Sequence, residues 1–339
     1  MKKLAAVLSA VLLMLVIAVL LLPFSASGTR FLVTFIPASS PLQVTYAGGR
    51  LAGELQLANL RLTLDGLKVE LAGVHTELRP ACLWQSLFCF ARLDIDRLDV
   101  VVEQDDTTDE AATEAPSTEP VQLPVRLRAP GVRIAETRVR WPGGVWQQAA
   151  SELDIELTPE GVYLGSAILR NAELALETAA PSASGKEPSA PAREPSARVA
   201  LKLPELRLPL TLAVDTLTLE QPRLRLGDDI TQFEAVRAAA RWRGEQLEIE
   251  TLELVQAELG RFAASGHVNM TGGWPLQLAL RADLTWAELP TQFSARTLQL
   301  DLSGDAGDLQ LELLSPGQPR LALSGAVDLL APELPFKLS

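Results

Sequence analysis

The chain is 339 residues long and carries 42 Asp and Glu against 30 Lys and Arg, a formal net charge of −12. That balance argues against nucleic acid and against docking on anionic lipid headgroups. Aromatic residues are only 5 % of a chain that is 47 % hydrophobic, so leucine, valine and isoleucine must supply most of any core.

The first element is an apolar run. Lys2 and Lys3 precede Leu4–Leu22, which holds no charge, and Pro23 and Phe24 follow. A secretory apolar core usually spans about 7–15 residues, whereas a bilayer-crossing helix needs about 20. Residues 1–27 therefore read as cytoplasmic lysines and a transmembrane signal-anchor, with the rest of the chain on the far side. Cleavage at Ser25–Gly28 and a buried globular helix remain open as other readings.

Residues 28–102 begin a β-rich region and hold both cysteines. Cys82 and Cys89 enclose "LWQSLF". Outside the cytoplasm a disulfide is permitted there, clamping a compact turn. Two buried free thiols are the other reading, and the spacing is poor for zinc because no further soft ligand lies near.

From here the chain repeats one phrase, apolar-x-apolar-x-x-apolar-x-apolar. "LQLANLRL" at 55–62, "LDIDRLDV" at 93–100, "LAVDTLTL" at 212–219 and "LEIETLEL" at 247–254 fit it. A copy ending in Thr137 and Val139 runs from Val132, another is read at Phe293–Leu302, and a poorer one at Ala167–Leu176. Period 2 is the signature of a half-buried strand. The surplus residue keeps one face apolar only if a bulge absorbs it. A helix fails the test, because these positions spread over about 220° rather than forming one stripe.

Two stretches interrupt the repeat. Residues 103–123 begin with "EQDDTTDEAATEAPSTEP", seven acids and no base, and residues 178–196 are rich in Pro, Ala and Ser. Neither buries enough apolar surface to order itself, so both read as linkers. They separate β segments at 124–177 and 197–339. "GDDITQFEAVRAAARWRG" at 227–244 reads either as a helical insert or as strand-turn-strand.

A sheet with one aliphatic face must cover it. Two sheets packed together would do so. A sheet curled into a trough would do so by holding acyl chains, each methylene worth roughly 0.8 kcal/mol. The trough-lining candidates are Leu57, Leu62, Leu93, Ile95, Leu98, Val100, Leu217, Leu219, Leu247, Ile249, Leu252 and Leu254. Composition alone does not decide between the two.

The anchor "MKKLAAVLSAVLLMLVIAVLLLPF", the early "GGRLAGELQLANLRLTLDGLKVELAGVHTELRP" and "CLWQSLFCFARLDIDRLDVVV" resemble the N-terminal part of the TamB family, within the AsmA-like, bridge-like lipid-transfer proteins. Arg50–Gly53, Leu78–Cys82, Cys89 and Asp94–Val100 carry the likeness. The resemblance implies a mainly β fold: an N-terminal transmembrane helix, then an elongated, curled, antiparallel-type sheet with a hydrophobic groove. It implies a single-pass protein of the inner membrane with its bulk in the periplasm. It also implies phospholipid acyl chains in the groove, transport toward the outer membrane, and support of autotransporter assembly with a TamA-like barrel. The family's partner-binding C-terminal domain is missing after "APELPFKLS", so the chain is expected to be a piece of a longer protein or a short relative. The alternative is a periplasmic β-rich structural or protein-interaction scaffold that moves no lipid.

No catalytic pattern is present in the sequence. His75 and His267 stand apart from soft ligands, "SGHVN" lacks a nucleophile elbow, and Asp94, Asp96 and Asp99 lack the spacing of a calcium loop. The expectation is a non-enzyme with no cofactor and no metal.

Overall fold

The computed structural model describes residues 22–34, 40–103, 126–176, 203, 205–285, 297–316, 320–331 and 335–338. The chain divides into two compact units, Met1–Ala112 with Pro124–Pro159, and Thr113–Leu123 with Glu160–Ser339.

The first unit opens with a 3-10 turn at Leu22–Phe24 and a short helix, α1 (Ala26–Thr34). The turn and helix are tied to the sheet by the hydroxyl of Thr29, which accepts from the Leu51 amide at 2.9 Å, and by the Pro23 carbonyl, which accepts from the Ala52 amide at 2.9 Å. Then come β1 (Leu42–Gly49), β2 (Glu54–Leu64), β3 (Leu67–Leu78), a 3-10 turn at Pro80–Gln85, β4 (Leu87–Val102), β5 (Arg126–Trp141), β6 (Gly144–Gln148) and β7 (Ala150–Thr158). β1 to β4 form an antiparallel meander. β5 joins β4 in parallel, and β6 and β7 both pair antiparallel with β5.

The second unit contains β8 (Gly161–Arg170), β9 (Glu173–Leu176), β10 (Leu208–Glu220), β11 (Arg223–Leu226), β12 (Asp229–Gln232), β13 (Ala235–Gly244), β14 (Gln246–Gln256), β15 (Gly260–Asn269), β16 (Leu276–Leu284), β17 (Thr297–Asp305), β18 (Asp308–Ser315), β19 (Leu321–Val327) and β20 (Phe336–Leu338). β8 pairs with β10, and β9 with β11, in parallel. From β13 to β20 each strand pairs antiparallel with the next. The 227–244 stretch is strand-turn-strand: its alanines lie between β10 and β14, whose ladders take up both edges of β13.

The surplus residue of the repeat has a clear place. In the first unit, pairing steps from Leu57–Val74 to Asn59–Ala72, from Val74–Ile95 to Ala72–Arg97, and from Ile95–Ile134 to Arg97–Glu136. Ala58, Gly73, Asp96 and Ala135 are left over, one per strand, at one level across four strands. Both partners skip together, so the ladder resumes without offset and the apolar residues stay on one face. Gly73 has φ 62, and a Cβ there would overlap the Asp96 carboxylate. In the second unit the bulges are unequal. β10 passes two residues between Val214 and Leu217 where β13 passes one, and β14 shifts register against both β13 and β15. The ladders of β16 with β15 and β17, and of β18 with β17 and β19, run without a shift.

Three expectations are corrected here. The sheet is not uniformly antiparallel, since β4–β5, β8–β10 and β9–β11 are parallel. It is also not curled into a trough: the strands form open ladders. The surplus residues of the first unit fall at one level across four strands, and the ladders from β15 to β19 carry no register shift. Finally, no helix among the described residues is long and apolar enough to cross a membrane. α1 has nine residues, a length of about 13 Å against a hydrocarbon core of about 30 Å. The apolar run Leu4–Leu22 lies outside the described residues except for Leu22, which opens the 3-10 turn. The copy of the phrase at Phe293–Leu302 is described only from Thr297 onward, and the two linkers lie outside the description except for Glu103.

Gly266 pairs with Ile249 where β14 bulges, has φ 142, and leaves no room for a Cβ against the Gln277 carbonyl oxygen. Gly266→Ala is expected to cost about 1–3 kcal/mol. Gly53→Ala, where a Cβ meets nothing within 4 Å, should stay within about 0.5 kcal/mol of the parent. Thermal and denaturant melts followed by circular dichroism compare the two.

Candidate functional site

The register assigns every expected lining residue to a face. In the first unit Tyr46, Leu57, Val74, Ile95 and Ile134 stand opposite one another in one row. Val44, Leu60, Leu71, Leu98 and Thr137 form the next, and Leu42, Leu62, Val69, Val100 and Val139 the one after. The rows share a face because each is two residues from the next, or three where a surplus residue intervenes. Leu55, Leu57, Val74, Ile95, Ala129, Val132 and Ile134 make its buried centre, with Leu60, Leu71, Leu93 and Leu98 packed around them. Of the six candidates in this unit, Leu57 and Ile95 are buried, while Leu62, Leu93, Leu98 and Val100 are half-buried.

In the second unit one row runs across eight strands: Leu217, Ala238, Leu252, Ala264, Leu280, Leu300, Leu313 and Leu323. Its candidates Leu217, Leu219, Leu247, Ile249, Leu252 and Leu254 all share this face and all are half-buried. The residues buried outright are mostly small: Ala167, Ala172, Ala213, Ala239 and Ala306, with Val268 and Leu309 the larger ones.

The apolar face of the first unit is interrupted by polar groups that the sequence pattern did not flag. Thr137, Gln148 and Ser151 are buried. Gln148 Nε2 donates to Thr137 Oγ1 at 3.3 Å, and Trp146 Nε1 donates to Gln148 Oε1 at 3.3 Å. Nothing in "VWQQAAS" announces this, because alternation records polarity and not which side chains find partners.

The opposite face is charged and laced across the strands. Arg61 pairs with Glu70 at 3.1 Å and Arg97 with Glu136 at 3.1 Å. Arg225 pairs with Glu173 at 2.9 Å, and Glu253 bridges Arg237 at 3.2 Å and Arg261 at 2.9 Å. The Asn59 side-chain amide, donating at 2.7 Å, is the main cause holding the Glu70 carboxyl below its ordinary value, and Arg61 adds to it. Asp283 is held low by Arg281 first and by the Thr297 hydroxyl second.

Two of the hollows among the described residues mix residues of this polar side with some of the apolar face. One of 470 Å³ is lined by Glu250, Thr251, Glu253, Arg281 and Asp301, among others. Another, of 270 Å³, is lined by Gln246, Glu248, His267, Gly266 and Ile249.

Cys82 and Cys89 are bridged, with Cα atoms 5.9 Å apart. The bridge closes the Pro80–Gln85 turn, where the Cys82 amide donates to the Arg79 carbonyl and the Arg79 amide to the Cys89 carbonyl. Ser86 completes the reversal with φ 54.

The family model for the N-terminal domain of TamB matches residues 15–339. The chain belongs to that family. No curated protein and no solved structure matches it. Family membership does not bring the expected groove with it. Phospholipid acyl chains were expected inside a curled trough, and the strands of this TamB-family chain instead form open ladders. Lipid transport through a groove is therefore not supported. Single-pass location in the inner membrane and partnership with that membrane through an N-terminal helix gain no support among the described residues: no helix there is long and apolar enough to cross, and the apolar run Leu4–Leu22 lies outside them except for Leu22.

Glu70 gives a pH test. Its folded-state pKa is lowered, so its contribution is present above the unfolded carboxyl value and is lost as pH falls through the folded one. The carboxylate is 39 % exposed, so the effect is expected to stay within about 0–1 kcal/mol. Glu70→Gln should flatten the acid limb of the stability curve by that amount and leave stability below it unchanged, as read from urea melts between neutral pH and the acid range.

Proposed function

We propose that this TamB-family chain is a non-enzymatic β-scaffold of a translocation and assembly machinery, working in the periplasm and engaging protein partners through its apolar sheet face. The observation that carries this reading is the row from Leu217 to Leu323, where one aliphatic face extends over eight strands without being buried. Contiguous apolar surface left half-exposed marks an interaction site. The ion-paired opposite face keeps the other side in water. Family membership supports the assembly context, and the bridged cysteines suit an oxidising compartment.

Photo-crosslinkers at Leu98 and Ile249 in the full chain test the reading. Protein adducts at both positions are expected, and adducts to phospholipid alone would overturn it. Leu252→Asp should abolish the protein adduct captured at position 249 at a modest cost in stability, because Leu252 is half-buried on the same face. Ile95→Asp should instead cost several kcal/mol, since Ile95 is only 7 % exposed at the centre of the buried cluster.

A further inference from the structure

The Pro80–Gln85 turn carries Trp84, whose side chain is 93 % exposed. It is the extreme among the exposed large hydrophobics of the described residues; the next, Phe31, is 57 % exposed. An indole left in water gives up a large burial gain. Here the chain also holds the ring out: the Cys82–Cys89 bridge closes the loop around it, and Ser86 takes a left-handed conformation to complete the loop. A constrained loop loses little further freedom when it docks.

The charge around this loop is also distinctive. Cys89 stands opposite Arg128, and Leu87 opposite Arg126, in the β4–β5 ladder. Leu127 packs on the core cluster, so Arg126 and Arg128 point to the other side. Arg79 opens the loop. None of these three arginines makes an ion pair among the described residues, although Glu156 stands opposite Arg128 in the β5–β7 ladder. Elsewhere on the same face Arg61, Arg97 and Arg133 are each matched to a glutamate, whereas Arg138, further along β5, bonds Gln147 instead. A chain with net charge −12 thus has arginines beside the loop that carries the most exposed indole among the described residues.

We propose that the Trp84 loop is a docking knob for a protein partner that offers an apolar pocket edged by carboxylates. The proposal rests on the scaffold reading above and adds a second contact site to it. Trp and Arg are the side chains most enriched among binding hot spots. The carboxylate rim follows from the unmatched arginines. The overall negative charge of the chain argues for a compact acidic patch on a protein rather than an extended anionic lipid surface, which would repel the rest of the molecule.

The test places a photo-crosslinking residue at position 84 of the full chain, in the cells that make it, beside the probe at position 98. The expected result at position 84 is one discrete protein, crosslinked through an acid-rich stretch. With that protein purified, Trp84→Ala should weaken binding by about ten-fold or more. Arg126→Glu with Arg128→Glu should weaken it comparably, and added salt should lower the affinity of the parent. Cys82→Ser with Cys89→Ser should weaken binding while the sheet's far-ultraviolet signal is retained. Since Trp84 is almost wholly exposed, its replacement leaves the fold intact. Phospholipid as the only adduct, no discrete adduct, or unchanged binding by Trp84→Ala would overturn the proposal. Protein capture at position 98 without capture at 84 removes the knob and leaves the scaffold reading standing, whereas loss of protein capture at both removes both.

Discussion

A β-ladder ties neighbours together through backbone hydrogen bonds, so a surplus residue in one strand must be matched or absorbed by the next. The first unit depends on that constraint. Ala58, Gly73, Asp96 and Ala135 fall at one level, and only because they do can Leu57 and Leu60, Ile95 and Leu98, share one face. Were the surplus residue absent from any one of these strands, half of its side chains would turn to the wrong side. Gly73 is where the constraint is tightest, as its positive φ and the adjacent Asp96 carboxylate show.

The same constraint explains what was legible in the sequence. The phrase apolar-x-apolar-x-x-apolar-x-apolar marked several of the strands and put the twelve trough-lining candidates on the apolar face, because periodicity reports directly on which side chains share a side. It carried no information on strand direction. Leu93, Ile95, Leu98 and Val100 alternate identically whether β5 runs with β4 or against it. Nor did it report curvature, which depends on whether neighbouring bulges are aligned, as in the first unit, or unequal, as around β10 and β14. The buried Thr137–Gln148 pair was half hidden: the repeat put Thr137 in an apolar slot, but nothing in it showed that Gln148 would be its partner.

Direction was nevertheless written in the linkers. A parallel neighbour needs a crossover of a dozen or more residues. The acidic stretch lies between Val102 and Arg126, the ends of the parallel pair β4 and β5, and the Pro/Ala/Ser-rich stretch lies between Leu176 and Leu208, ahead of the β10 and β11 that pair in parallel with β8 and β9. Segments that look like interruptions of the repeat are the lengths of chain that parallel pairing demands.

Those parallel joints also set an order of assembly. β1 to β4 are joined by short connections, and so are β13 to β16, so each meander can form by local zippering. The β4–β5 and β8–β10 ladders must first close long loops, and loop closure delays non-local pairing. The delay is kinetic rather than energetic, because each doubling of a flexible loop costs only about 0.6 kcal/mol. Until those ladders close, the edges of β4 and β8 offer unpaired backbone to any other extended chain nearby. The window of greatest vulnerability to misassociation during synthesis is therefore the one in which the acidic and proline-rich stretches have emerged and their following strands have not yet paired.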